Sequence, residues 1–96
     1  MEDSIKSFSQ KYAINPDAVA NRMGDHMVVV HIGTDRIFEL NSTAARIWDL
    51  LSGGFSRGEI QRMISQEFNE PETLVAKQIE DLLASLISEN IISQTT

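Results

Sequence analysis

β-Branched and alternating apolar residues dominate the chain between residues 18 and 41. The pattern predicts three strands, at residues 18–23, 26–32 and 36–40. The second of them, HMVVVHI, is the richest in β-branched residues. Gly24-Asp25 and Gly33-Thr34-Asp35 lie between the strands as turns of hairpin length. Because both connections are short, we expect an antiparallel meander.

From residue 42 to residue 92 the apolar residues recur at helical spacing and predict three helices. The predicted apolar faces are Ala44, Ile47, Trp48 and Leu51 in the first, Ile60, Met63, Ile64 and Phe68 in the second, and Val75, Ile79, Leu82, Leu83, Leu86 and Ile87 in the third. Strands followed by helices indicate an α+β fold. Ile91-Ile92 is expected to return the chain end to the core.

The helix ends carry recognisable signals. Asn41 or Ser42 can cap the first helix, and Gly53-Gly54 stops it. Ser56 followed by Glu59 predicts a capping box for the second. At its end Asn69 suits a left-handed position, Pro71 suits the first turn of the third helix, and Asn90 suits the cap that ends it.

The polar first fifteen residues are harder to assign. Ile5, Phe8 and Tyr12 recur at i, i+3 and i+7, which would line one face of a short helix. A frayed terminus is the equal alternative, since short helices are marginal on their own. The predicted division is a flexible or short helical segment at 1–15 and one domain at 16–96.

Composition narrows the class of protein. A chain of 96 residues is one small domain with a modest core. It has no cysteine, and its net charge is −6. Such an acidic domain is a poor candidate for binding nucleic acid or an anionic membrane. No apolar run approaches a membrane span, and no signal peptide is recognised, so we expect a soluble cytoplasmic protein.

Residues able to carry catalysis are sparse. His26 and His31 are five apart in one predicted strand, so they face opposite sides of the sheet and cannot share a metal. No serine lies in a nucleophile elbow, and the glycines form no phosphate-binding loop. We therefore expect no catalytic residue, no metal site, no cofactor and no enzymatic activity.

The third predicted strand is a candidate binding edge. It ends the meander, and its residues 36–40 include neither proline nor lysine to block the edge. A peptide could add there as a fourth strand. The alternative is an edge covered by the chain's own terminus or by a second copy of the chain.

Three stretches form a recognisable pattern: FELNSTAARIWDLLSGG at 38–54, the apolar pair Met63-Ile64, and QIEDLLASLISENII at 78–92. Together they resemble the PqqD-like family, the peptide-recognition domains (RiPP recognition elements) of ribosomal peptide natural-product pathways. The matching positions are Leu40, Asn41, Ala44 or Ala45, Ile47, Trp48, Gly53, Gly54, Ile79, Leu82, Leu83, Leu86 and Ile91. Gln78 and Asn90 stand where the family usually has aspartate and glycine. The resemblance covers roughly residues 18–92.

The resemblance implies a winged helix-turn-helix fold that binds peptide instead of DNA. Within the family the chain is most similar to the stand-alone recognition proteins of lasso-peptide pathways. Its partners would then be the leader of a precursor peptide, a leader peptidase and an ATP-dependent macrolactam synthetase. The runner-up is pyrroloquinoline quinone biosynthesis, with a radical SAM enzyme as partner.

The resemblance also places the leader beside the third strand and against the third helix. The predicted peptide-binding residues are Arg36, Ile37, Phe38, Glu39, Leu40, Leu74, Val75, Gln78, Leu82 and Ser85. Arg36 is expected to pair with a leader carboxylate. Two other functional classes stay open, a winged-helix transcription factor and a structural dimerisation module. The oligomeric state also stays open, as either a monomer or a strand-mediated homodimer.

Overall fold

A computed structural model describes residues 10–95 of the chain. Its strands are β1 (Tyr12–Ile14), β2 (Ala18–Met23), β3 (His26–His31), β4 (Arg36–Leu40) and β5 (Ile92–Gln94), and its helices are α1 (Ser42–Ser52), α2 (Arg57–Phe68) and α3 (Glu72–Ser88). The three-stranded antiparallel sheet followed by three helices confirms the predicted α+β fold, and a winged helix-turn-helix description fits this topology.

The sheet has the order β2-β3-β4, and both pairs are antiparallel. The two turns use left-handed backbone positions, Gly24 with φ of 69° and Asp35 with φ of 56°. Glycine adopts that region without steric cost, and aspartate tolerates it better than most residues do. The turn sequences therefore fix a meander in which β4 runs directly into α1.

The predicted helix ends are largely confirmed. Asn41 caps α1, since its side-chain oxygen accepts the Ala44 N–H at 2.9 Å. Ser56 and Glu59 form the capping box, with the Ser56 N–H donating to the Glu59 carboxylate at 2.9 Å. The prediction for Pro71 was wrong, because it precedes α3 as its N-cap residue and α3 begins one residue later.

Left-handed asparagines follow α2 and α3, as predicted. Asn69 has φ of 52° and Asn90 has φ of 59°. After Asn90 the chain reverses, and both Ile91 and Ile92 are buried. Asn90 thus provides the left-handed turn that returns the chain end to the core.

A second, two-stranded sheet was not predicted. β1 pairs antiparallel with β5, so that Tyr12 lies opposite Gln94. The helix prediction was wrong for Tyr12, which is a buried residue of a strand. Ile5 and Phe8 of that predicted helix lie outside the described residues. The folded unit reaches back at least to residue 12, past the boundary predicted after residue 15.

The core lies between the inner face of the sheet, the three helices and the chain end. Its largest fully buried side chains are Ile47, Ile60, Ile64, Ile79, Leu86, Ile91, Val29 and Val75. Trp48 is also a core residue, as the helical spacing predicted. Phe68 and Ile87 are correctly placed on helices but lie on the surface. None of the helices in residues 10–95 is long and apolar enough to cross a membrane.

Candidate functional site

The edge of β4 is open in the described part of the chain. β4 pairs with β3 on one side only, so its other row of backbone N–H and C=O groups has no strand beside it. The same holds for β2, an edge that the sequence analysis did not consider. The two edges differ because β4 also packs on α1, whereas β2 packs chiefly on β3.

The register assigns each β4 side chain to one face of the sheet. Phe38 lies opposite Val29 and Leu40 opposite Met27, on the face that packs against the helices. Ile37 and Glu39 point to the opposite face and are exposed. A strand added beside β4 would follow the same alternation, with every second side chain turned toward the helical side.

A groove of about 290 Å³ opens where β4 runs into α1 and faces α3. Its lining residues are Asn41, Thr43, Ala44, Ile47, Gln78, Asp81 and Leu82. The prediction named Gln78 and Leu82 and did not name the other five. Leu82 is half-buried and packs against the core, so it supplies an apolar wall. Asp81 adds an exposed carboxylate whose nearest cation, Lys77, is 3.9 Å away.

The predicted residues on α3 divide into two groups. Leu74, Gln78, Leu82 and Ser85 are spaced i, i+4, i+8 and i+11, which places them along one helical face, and all four retain exposed surface. Val75 is fully buried, as are Ile79, one turn further on, and Leu86, three turns further on. The Val75 side chain therefore has no exposed surface in this structure, and its contact with a peptide stays a prediction.

Arg36 is already paired. Its guanidinium donates to the Glu89 carboxylate at 3.0 Å and lies 5.9 Å from the centre of the Phe38 ring. Glu89 follows the last turn of α3, so this contact ties the start of β4 to the far end of that helix. A leader carboxylate would have to displace Glu89 to reach Arg36, which weakens the pairing predicted for this residue.

The two histidines lie on opposite faces of the sheet, as predicted. His26 is exposed, whereas His31 is buried and its Nδ1 has no hydrogen-bond partner in the described part of the chain. Within residues 10–95, no three histidine, aspartate or glutamate side chains come together as metal ligands would.

The fold has known counterparts. A family model described as "Coenzyme PQQ synthesis protein D (PqqD)" matches residues 26–92, more than half of the chain. The chain belongs to the PqqD family. A curated relative, the PqqA binding protein of Gluconobacter oxydans (strain 621H), is 28% identical over 91 residues, which cover 95% of this chain and 88% of the relative.

Two solved structures in this fold are similar to the chain. One is described as "TbiB1 in Complex with the TbiA(beta) Leader Peptide"; it has 28% identity and a TM-score of 0.78, over 83% of this chain and 93% of that one. The other, a lasso peptide synthetase B1 complexed with the leader peptide, has 22% identity and a TM-score of 0.79, over 86% and 98% of the two chains. At 22% identity the second likeness shows the fold alone.

Proposed function

We propose that this chain binds the leader segment of a ribosomally made precursor peptide as an extra strand beside β4. It then delivers the precursor to the leader peptidase and the macrolactam synthetase of a cytoplasmic lasso-peptide pathway. The observation that carries the proposal is the open β4 edge lying next to the groove against α3. The similar structure at 28% identity that was solved with a leader peptide supports it.

Backbone groups of β4 would supply most of the binding geometry. Residues Arg36, Ile37, Phe38, Glu39 and Leu40 offer a row of N–H and C=O groups that an extended peptide can pair with. Main-chain bonds fix the direction and register of the leader but distinguish little between sequences. The β2 edge is a weaker candidate, because the groove of about 330 Å³ between Arg22 and the helices is lined largely by charged side chains that already pair with one another.

Sequence selection would come from the groove and the exposed face of α3. A peptide strand beside β4 turns alternate side chains toward Leu82 and Ala44, so an apolar leader residue fits between them. Leu74, Gln78 and Ser85 would contact the neighbouring leader positions along the same helical face. Because ordering a flexible leader costs free energy, we expect moderate affinity dominated by a few apolar anchors.

No residue of this chain need touch a reacting bond in this proposal. Binding the leader to a protein that also contacts the processing enzyme raises the effective concentration of the precursor at the active site. The role is therefore that of a substrate-binding partner and not that of an enzyme.

A second pathway is favoured by a separate observation. The family model carries the name of a pyrroloquinoline quinone synthesis protein, and the curated relative is a PqqA binding protein. In that case the same edge and groove would bind the quinone precursor peptide, and the partner would be a radical SAM enzyme. Both candidates share peptide capture and differ in the peptide.

The test is fluorescence polarisation with labelled leader peptides from short reading frames near this gene and with a PqqA peptide. The peptide that binds is then synthesised with single backbone N-methyl groups along its length. Strand addition pairs every second peptide N–H with β4. We therefore expect a loss of about tenfold at alternate positions and little change at the positions between, since one lost hydrogen bond is worth about 0.5–1.5 kcal/mol.

N-Methylation leaves the protein unchanged, so misfolding cannot produce this result. A loss at every position, or at none, would contradict strand addition while leaving peptide binding intact. Preferential binding of PqqA over the leaders would move the assignment to the quinone pathway. A folded protein that binds none of the peptides would support the dimerisation module, which sedimentation would then reveal as a stable dimer.

A further inference from the structure

The face of the sheet turned away from the helices is unusually apolar. The strand register places Val19 and Met23 of β2, Val28 and Val30 of β3, and Ile37 of β4 on this outer face. Met23 and Ile37 are each 65% exposed, and Val19 is 41% exposed. An antiparallel sheet with one solvated face normally carries polar residues there, so this composition indicates a surface that is covered in use.

The outer face adjoins a cavity at one end. The cavity, of about 520 Å³, opens beside the β2–β3 turn; Met23, His26, Val28 and Glu39 of the outer face line it together with Met27, Leu40 and Asn41. An apolar surface with a depression accepts a protruding side chain from another protein, which is how anchor residues are held at protein interfaces.

In the described sheet, the carboxylates around the outer face have no arginine or lysine on the same face, and His26 there lies 3.6 Å from the Asp25 carboxylate. Glu39 lies on the face itself, and Asp25 and Asp35 occupy the turns at its two ends. The two arginines of the sheet point to the other face, where Arg22 pairs with Asp49 at 2.6 Å and Arg36 pairs with Glu89 at 3.0 Å. The outer face is thus an apolar centre with an acidic border and no arginine to balance it.

We infer that the outer face docks a folded partner protein whose contact surface is apolar with a lysine- or arginine-rich border, namely a processing enzyme of the pathway. A second copy of this chain fits less well, because two acidic borders would be brought together in a molecule whose net charge is already −6. Charge complementarity therefore favours a basic partner.

The inference rests on the proposed function and adds the surface that contacts the enzyme. Ile37 and Glu39 of β4 belong to the outer face, so a leader strand beside β4 would extend that face with its own alternate side chains. An enzyme docked there would touch the carrier and the outward-facing side of the leader together. The leader then uses the backbone of β4 and the groove, whereas the enzyme uses the outward-facing side chains of the same sheet.

The experiment uses a double variant, Val19→Lys with Met23→Lys, made in the full chain. Both residues are exposed, lie on β2, and are absent from the proposed leader-binding set. The matched control is Gln66→Lys, an exposed position on α2, a helix that packs on α1 and α3 and lies away from the sheet. Biolayer interferometry measures each protein against the purified leader peptidase and macrolactam synthetase, and fluorescence polarisation measures leader binding.

We expect the double variant to bind one of the enzymes at least tenfold more weakly, while its leader affinity and circular dichroism stay within twofold of the parent values. Gln66→Lys should change neither affinity. Equal enzyme binding by all three proteins, or none by the parent chain, would overturn the docking surface even when leader binding is intact. Absence of leader binding by the parent chain would instead refute the proposed function.

Other occupants give different readouts. A parent dimer that the double variant converts to a monomer in sedimentation would assign the face to a second copy. Deleting residues 1–9 could also increase the binding of an apolar dye. If this increase requires Val19 and Met23, the face would be assigned to that segment. Either result would overturn the inference.

Discussion

The helical interior and the three-stranded sheet of this protein differ in how completely they bury their apolar side chains. In the interior, residues such as Ile60, Ile64 and Ile79 are fully buried, and helices, sheet and chain end close around them. In the sheet only one face is closed, and large apolar side chains such as Met23 and Ile37 remain exposed on the other. The contrast indicates that the interior provides the stability and that the sheet presents the binding surfaces.

Few contacts join the two regions. β3 and β4 pack on α1, and two ion pairs, Arg22 with Asp49 and Arg36 with Glu89, bridge from the sheet to the helices. Exposed pairs of this kind are worth about 0.2–1 kcal/mol each. The attachment thus depends mainly on the inner-face side chains Met27, Val29 and Leu40, which leaves the outer face and the β4 edge free for partners.

Truncating one isoleucine in each region gives the largest expected difference. Ile79→Ala in the interior should lower the free energy of unfolding by about 2–5 kcal/mol, since it removes a fully buried side chain and leaves a cavity. Ile37→Ala on the outer face should cost less than about 1 kcal/mol, because that side chain is already largely in water. Urea unfolding followed by circular dichroism measures both.

The two variants change the same side chain, so they control for each other. Similar losses at both positions would mean that the outer face is covered in the free protein, either by a second copy or by another part of the chain. Repeating the Ile37→Ala measurement over a tenfold range of protein concentration separates these cases, because only a dimer interface makes the loss concentration-dependent.

Leu82 tests the boundary between the regions, since it belongs to both the core and the groove. Leu82→Ala should weaken leader binding about tenfold, because about 1.4 kcal/mol of apolar contact with the peptide is lost. The control Ile87→Ala removes an exposed apolar side chain from the same helix away from the groove. It should leave leader affinity within twofold. Fluorescence polarisation measures the leader affinity of both folded variants. If the two variants bind the leader equally well, Leu82 is not part of the site.

The sequence predicted the features that have a local physical cause. Alternation and turn residues fixed the three strands of the meander, and the Ser56–Glu59 capping box and Asn69 marked the ends of α2. β1 and β5 escaped prediction, because three-residue strands are too short to show a period and owe their conformation to each other.

The site was predicted less completely than the fold. Helical spacing placed Gln78 and Leu82 on the groove, but it could not separate them from Val75, which lies one turn away and fully inside. The pairing of Arg36 with Glu89 joins residues 53 apart and has no local signal. Likewise the acidic border of the outer face depends on strand register, because register decides that Arg22 and Arg36 face the helices.

Lowering the pH should destabilise the helical region slightly, and this is the smallest predicted effect. The hydrogen bonds from Arg46 lower the pKa of Glu67 below its usual value of 4.5, and the Ser56 backbone N–H lowers the pKa of Glu59. A carboxyl with a lowered folded-state pKa stabilises the fold above its unfolded pKa and loses that contribution as pH falls through the folded value. Arg46→Gln should therefore cost about 0.2–1 kcal/mol at pH 7, and the cost should shrink as pH falls from 7 toward 3 and Glu67 takes up its proton. Urea unfolding of the two proteins at low salt across this pH range measures the difference. A gap that does not shrink as pH falls would show that Arg46 stabilises the helices through packing and not through its charge.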